Sequence, residues 1–395
     1  MGVLRLALAI SVLCTHLGLV HAHTNTIFGC TFLDGEIAVE TFFMISGFYM
    51  ALVLHEKYVG AKSYFLFLTQ RILRLCPTYL ATLFLTLAVL GLLMAVGDSA
   101  LMSSKSLFFW RDHLPGAGFF SLLWIGGSNL AVVGLNELFY FGFNEKTGSL
   151  FPWFPTAPQP AISGDSFFLN PPAWSVSLEI YFYFLAPKLV RCPIWLQLAI
   201  VVASVTLRYV IENFLHWPYD PFVYRNFFCQ LGFFMTGSLC YQFYVRYRTQ
   251  IETWGKSWRH GLWVLGLLLL FYRRLPWAHQ LYVVAVPIMV VLIPLLFALT
   301  RHNSVDRLLG ELSYPFYLSH FMVIVVAYYL RAHLWMTWVG PFCLLLTLAL
   351  SWFIYRYVES WSERFRARLY HRQRPKAQLS AEYFPQEAIE QSQPS

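Results

Sequence analysis

Stretches of apolar residues long enough to cross a lipid bilayer recur along almost the whole chain, and they restrict its folding more than any other feature. A spanning helix needs roughly 20 mostly apolar residues. Such runs fall at about 3–21, 37–55, 72–96, 173–190, 194–212, 222–245, 260–276, 280–299, 309–331 and 338–357. Hydrocarbon offers the backbone no hydrogen-bond partner, so each run has to satisfy its own amides and carbonyls, as a helix does. The expected fold is all-α, a polytopic transmembrane helical bundle of about ten spanning helices. Composition agrees, with 58% of residues hydrophobic and only 12% charged, where a soluble domain is about a quarter charged. Residues 1–358 then form one membrane domain. Residues 359–395, charged and then rich in Gln, Ser, Glu and Pro, form a solvated, partly disordered cytoplasmic tail.

Orientation follows from the basic residues near span ends, because cytoplasmic loops collect Lys and Arg. Arg71 and Arg74, Lys188 and Arg191, the cluster from Arg246 to Arg259, Arg301 and Arg307, and the stretch from Arg356 to Lys376 all fall on the inner side if both termini are cytoplasmic. Arg273 and Arg274 are the exceptions. This arrangement requires the shorter apolar piece 119–135 to dip into the membrane or lie on its outer surface without crossing. Residues 98–172 become a long outer segment containing Phe151-Pro152-Trp153-Phe154-Pro155 and Asn170-Pro171-Pro172. Its rings suit either a sugar-binding or pocket-covering loop, or an aromatic belt at the membrane surface. The N-terminus also fits a cleaved leader, with Arg5, an apolar stretch from Leu6 to Val20, and Ala22 after it. Thr15 and His16 inside that stretch, and the poor cleavage context Val20-His21-Ala22, favour a retained first spanning helix.

Soluble-enzyme signatures are absent. The seven cysteines form no C-x-x-C pair and sit mostly inside apolar runs, as small buried hydrophobes. There is no phosphate-binding G-x-x-x-x-G-K-[ST] loop and no G-x-S-x-G elbow, and no spacing suggests a metal site. The net charge of +8 matters through where the charges lie.

Ionisable side chains inside spans are costly, and those retained face the protein interior and mark function. Arg5 and His16 lie within about 20° of one helix face and roughly 16 Å apart along the axis. One stripe thus carries a cation at the cytoplasmic side and an imidazole deeper in the membrane, although packing and topology anchoring account for the two residues equally simply. Arg71 and Arg74, one turn apart at the start of the third span, present two guanidiniums on one face, suited to gripping phosphate oxygens or to anchoring topology. Glu179, in Trp174-Ser175-Val176-Ser177-Leu178-Glu179, has no basic residue within a helical turn and needs a partner from another helix. Ser46 and Gly47 sit mid-span in Phe42-Phe43-Met44-Ile45-Ser46-Gly47-Phe48, where a small surface admits another backbone or a ligand. Ser313, Tyr317 and His320 follow one another at offsets of four and three along one helix side, as supporting hydrogen-bonding groups.

With these residues in view, the sequence resembles the acyltransferase type 3 family of bacterial membrane proteins, which O-acylate cell-surface carbohydrates. The resemblance rests on R-x10-H (Arg5 to His16), F-F-x-x-S-G-F (Phe42 to Phe48), R-x-x-R-x-x-P (Arg71 to Pro77), W-S-x-x-x-E (Trp174 to Glu179) and S-Y-x-x-Y-L-x-H (Ser313 to His320), in order over residues 5–320. Glu40 stands where Asp is common before the F-F motif, and Glu359 lacks the Pro that often follows two residues on. The chain resembles a stand-alone member without an appended esterase-like domain.

The resemblance implies acyl transfer from cytoplasmic acyl-CoA, usually acetyl-CoA, to a hydroxyl of an exported or surface glycan such as lipopolysaccharide, at the bacterial inner membrane. It implies no permanently bound cofactor, no metal and no nucleic-acid partner. Arg5, Arg71 and Arg74 would hold CoA phosphates. His16 would act as general base or as a nucleophile forming an acyl-histidine. Glu179 would orient or stabilise the sugar or His16, with Ser46, Trp174, Ser313, Tyr317 and His320 around them. A transporter, a flippase or a glycan polymerase is the competing expectation. No inverted repeat supports the first two, and a polymerase has no need of the paired arginines.

Overall fold

The computed structural model describes residues 1–18, 27, 33–58, 63–96, 107–255, 257, 278–334 and 338–373. The helices used below are α1 (Gly2–Leu17), α2 (Gly35–Glu56), α3 (Ser63–Val96), α4 (Leu107–His113), α5 (Phe119–Ala131) and α6 (Trp174–Leu189). They continue with α7 (Ile194–Asn213), α8 (Phe227–Arg246), α9 (Ala278–Thr300), α10 (Ser304–Leu334), α11 (Val339–Ile354) and α12 (Ser360–Gln373). Among the described residues five helices are long and apolar enough to cross a membrane: α2, α3, α7, α10, and the run from Val339 to Tyr370. The apolar run expected at 260–276 lies outside the described residues.

Two boundaries differ from the sequence reading in ways that move the site. Helix α3 begins at Ser63 because the apolar pattern extends back through Phe65, Leu66, Phe67 and Leu68, so Arg71 and Arg74 sit about two turns inside the helix and not at its start. Helix α1 ends at Leu17, short of the run read to residue 21, which places His16 in its last turn.

Helices meet where side chains are small enough to let backbones approach. Helix α2 packs along α8, α1 along α10, α10 along α11, and α7 along α8. At the α2–α8 crossing a Cβ on Gly47 would lie 1.8 Å from the Phe234 carbonyl oxygen, and one on Gly237 would lie 1.8 Å from that of Met44. Between lipid-embedded helices, where burial from water no longer drives association, such close packing supplies the adhesion. Around the crossing Phe48, Phe182 and Phe234 are fully buried, with the last two stacked at 4.3 Å. Helix α1 is seated by Asp306 of α10, whose carboxylate accepts from the Gly2 and Val3 amides at 2.8 and 2.9 Å and so caps its open end.

Prolines inside helices leave carbonyls that neighbours then use. Pro77 cannot donate to the Leu73 carbonyl, and the Ser362 hydroxyl of α12 donates to it instead. Pro294 likewise releases the Val290 carbonyl, which the Cys240 thiol of α8 reaches at 3.5 Å. The first of these bonds ties α12 onto α3, helped by Gln70 Nε2 donating to the Arg366 carbonyl at 2.8 Å. A π-turn, Tyr355–Glu359, joins α11 to α12. Of the expected tail, residues 360–373 are this docked helix, and 374–395 lie outside the described residues.

Residues 107–173 fold as a cap. It contains α4, α5 and a hairpin of β1 (Phe141–Asn144) against β2 (Ser149–Pro152). Phe167 is its buried centre, touched by Phe109, Trp110 and Phe143. The Asn129 amide of α5 donates to the Phe167 carbonyl at 3.1 Å and accepts from the Leu169 amide at 2.9 Å. Trp153 packs on Phe222 at 5.5 Å, so this ring of the aromatic motif serves packing, whereas Phe154 is exposed. The ambiguous piece 119–135 forms α5, at about 20 Å too short to cross a bilayer.

Candidate functional site

Helices α1, α2, α3, α6 and α10 enclose a cavity of about 360 Å³. Register gives its long axis. Along α10 its wall runs from Asp306 to Tyr317, and along α2 from Met50 back to Val39, in each case roughly 16 Å. Arg5, Arg71 and Arg74 line one end. Ser46, Glu179 and Tyr183 line the middle, and Val39, Phe42, Phe43, Ser175, Val176 and Tyr317 close the other end.

The cationic end is unusual because its charges are not neutralised by contact. Among the described residues the guanidiniums of Arg5, Arg71 and Arg74 make no hydrogen bond and have no carboxylate within 4 Å, and the Arg71 Nε is buried without a partner. Arg71 lies over the Phe67 ring, at 5.7 Å. Arg301, on the same cavity, shows the ordinary solution: it donates to Glu252 at 2.9 Å and to the Tyr244 hydroxyl at 2.9 Å. The hydrogen bond from Arg248 holds the Glu252 carboxyl below the usual carboxylate range. A buried charge normally has such a partner. The three guanidiniums lack such a contact, with Glu179 and Glu359 acting on Arg5 and Arg74 only from a distance, and they keep donors for an anion of more than one charge.

In the middle of the cavity Glu179 accepts from Ser46 Oγ at 2.7 Å and from the Tyr183 hydroxyl at 2.6 Å. Its cross-helix partner is thus a serine of the F-F-x-x-S-G-F motif. Both donors bind the same oxygen, Oε1.

Beyond the closed end lies a histidine pair. His16 Nδ1 and His320 Nε2 are 2.9 Å apart with the rings stacked at 5.1 Å, and His320 Nδ1 lies 2.6 Å from the Tyr317 carbonyl oxygen. A carbonyl only accepts, so His320 Nδ1 carries the proton and its Nε2 offers a lone pair. His16 must then donate through Nδ1, which leaves the lone pair of His16 on Nε2, the nitrogen suited to accept a proton. Neither histidine lines the cavity. Tyr317 links the two regions: its hydroxyl bonds Ser175 Oγ at 2.8 Å and donates to the Pro172 carbonyl at 3.1 Å, while its backbone holds His320.

The structure thus gathers Arg5, Arg71, Arg74, Ser46, Glu179, Ser313 and Tyr317 around one cavity and pairs His16 with His320 at its far end. Ser313 donates to the Gly310 carbonyl at 2.6 Å and shapes the α10 wall. Trp174 stands apart, buried between Phe43, Tyr224 and Arg225 at 6.4, 5.1 and 4.6 Å. Sequence reasoning did not connect His320 to His16, because their contact joins residues far apart in the chain. It also missed Tyr183, although its position one turn after Glu179 was a usable signal. A smaller chamber of about 120 Å³ behind Arg5 and Arg74, reached by Glu359 and by Ser362 and Arg366 of α12, fell in a segment read as tail. Glu40 pairs with Arg208 at 2.8 Å, a helix-to-helix tie. Among the described residues no three His, Cys, Asp or Glu side chains group as a metal site requires.

The family model described as "Acyltransferase domain", that of the type 3 acyltransferases, matches residues 1–356 of the 395. This chain belongs to that family, whose members are membrane acyltransferases acting on carbohydrates in general. No curated protein and no solved structure matches it.

Proposed function

We propose that this chain is an O-acetyltransferase of the bacterial inner membrane, with both termini cytoplasmic, that moves an acetyl group from cytoplasmic acetyl-CoA to a hydroxyl of an exported or surface glycan. The observation that supports the reading is the set of three guanidiniums, buried Arg71 with half-buried Arg5 and Arg74, that face one cavity without a hydrogen bond or close carboxylate among the described residues. CoA brings the phosphates such a site requires, and its pantetheine arm suits a cavity that changes from cationic to apolar along roughly 16 Å.

The chemistry follows from the tautomers. His16 Nε2 takes the proton of the acceptor hydroxyl as its oxygen attacks the thioester carbon. The new carbon–oxygen bond forms, the carbon–sulfur bond breaks, and the proton passes to the leaving sulfur, releasing the CoA thiol. His320 fixes the His16 ring and supports positive charge on it. Glu179, held by Ser46 and Tyr183, lies between the arginines and the closed end and, as an acceptor, orients or stabilises the sugar or His16.

Binding of radiolabelled acetyl-CoA to the purified chain tests the donor assignment, with Arg71→Ala as the control. Micromolar binding that depends on Arg71 is the expected result. A parent protein that does not bind acetyl-CoA overturns the reading. Mass spectrometry of envelope polysaccharide with and without the gene identifies the glycan and the modified position.

A further inference from the structure

The cavity and the histidine pair are separated by a narrow apolar closure. Phe42 of α2 and Tyr317 of α10 face each other across the closed end with ring centroids 5.9 Å apart. Val39 and Val176 complete the wall and are each 3% exposed. His320 lies one turn past Tyr317, which is roughly 4–5 Å along α10. The direct line from the cavity to His16 therefore passes this contacting ring pair, and an acyl group that takes it has to part the rings.

The two rings are not equally fixed. Tyr317 is held by its bonds to Ser175 and Pro172 and by the backbone bond to His320. Phe42 has only packing to hold it, and it is half-buried. The two rings are in contact, so the room that can open between a fixed ring and a packed one is decided by the size of residue 42. Two valines leave little width on the remaining sides, and β-branched side chains do not rotate out of the way.

We propose that Phe42, closing against Tyr317, is the residue that sets acyl size: it admits a two-carbon acyl group to the histidines and rejects longer chains. This rests on the acyl-CoA reading above and goes beyond it by naming a specificity-determining residue. A straight chain longer than acetyl has to lie where the Phe42 ring now lies. Shortening that residue makes room, at a position that touches neither the arginines nor the histidines.

Inverted membrane vesicles from cells producing the full chain carry their own envelope glycan and expose the cytoplasmic face, so radiolabelled acetyl-CoA or butyryl-CoA can be supplied directly. The readout is the ratio of butyryl to acetyl label incorporated into glycan, which normalises itself within each variant. The parent should incorporate acetyl at least tenfold better than butyryl, and Phe42→Ala should raise the butyryl-to-acetyl ratio at least tenfold. Met50→Ala, which enlarges the same cavity at its arginine end, should leave the ratio as in the parent. If Phe42→Ala is absent from the membrane on immunoblots, Phe42→Leu serves, with a smaller rise. A parent that already transfers butyryl as well as acetyl, or an unchanged ratio in the recovered Phe42 variant, overturns the proposal while leaving the donor assignment intact. A parent that transfers neither group removes the donor assignment and this inference together.

Discussion

Tyr317, Ser175, His16 and His320 each hydrogen-bond to another group of the protein at one end of the cavity. At the other end Arg5, Arg71 and Arg74 hydrogen-bond to no described residue. The first group is preorganised and holds its geometry without a ligand. The second is incomplete among the described residues, with hydrogen-bond donors left over for a ligand. Chemistry requires fixed geometry in the resting protein, and binding a polyanion requires donors whose hydrogen bonds are not already spent. Under the proposed function, this contrast corresponds to binding at the arginine end and reaction at the histidine end.

That division breaks most visibly at the arginines. The double variant Arg71→Ala, Arg74→Ala should weaken acetyl-CoA binding by about 10²–10⁴-fold in equilibrium dialysis, since each charge-assisted contact contributes about 1.5–3 kcal/mol. The single Lys variants should lose most activity while remaining in the membrane, because an ammonium keeps the charge but not the planar fork. Near-parental turnover in both would reduce these residues to topology anchors. Next in size is Gly47→Leu, whose side chain meets the Phe234 carbonyl at the α2–α8 crossing. Overpacking costs about 1–3 kcal/mol where neighbours can shift, and backbone cannot, so monodisperse protein should largely disappear in detergent size-exclusion runs.

At His320 the effect is smaller and differs in kind. His320→Ala should slow transfer by about tenfold, the value of one lost hydrogen bond of about 1.4 kcal/mol, with acetyl-CoA affinity unchanged. His320→Gln, whose side-chain oxygen can still accept from His16 Nδ1, should recover most of that rate. Equal loss in both would show that His320 does more than orient its partner. Smallest is Ser362→Ala, which removes the donor to the Leu73 carbonyl and should cost about 1 kcal/mol. It is read as a modest drop in melting temperature with transfer retained.

The sequence made the apolar runs, the arginine stripe and the motif serine legible, because each depends on spacing within one helix. Ser46, Glu179 and the arginines all reached the cavity. Harder to read was everything decided by which helices touch. His16 and His320 are each ordinary in their own helix, and only the packing of α1 on α10 makes them a pair. Arg71 and Arg74 lie deeper than the apolar run at 72–96 places them, because the polar Thr69, Gln70 and Arg71 interrupt the apolar pattern of a helix that starts at Ser63. Composition concealed α12 as well: its charges read as solvation, while Pro77 had already left the carbonyl on α3 that Ser362 occupies.

The central claim is that binding and reaction reside at opposite ends of one cavity. Its most direct test compares His16→Ala with Arg71→Ala on purified protein, measuring the acetyl-CoA dissociation constant and the single-turnover transfer rate at saturating donor. Loss of a general base costs about 10²–10⁴-fold in rate with little effect on the ground-state complex. His16→Ala is thus predicted to lose rate by that factor and to bind within a few fold of the parent, while Arg71→Ala binds at least tenfold more weakly. If the two variants lose affinity together, or if His16→Gln transfers as fast as the parent at equal expression, the division of labour is wrong.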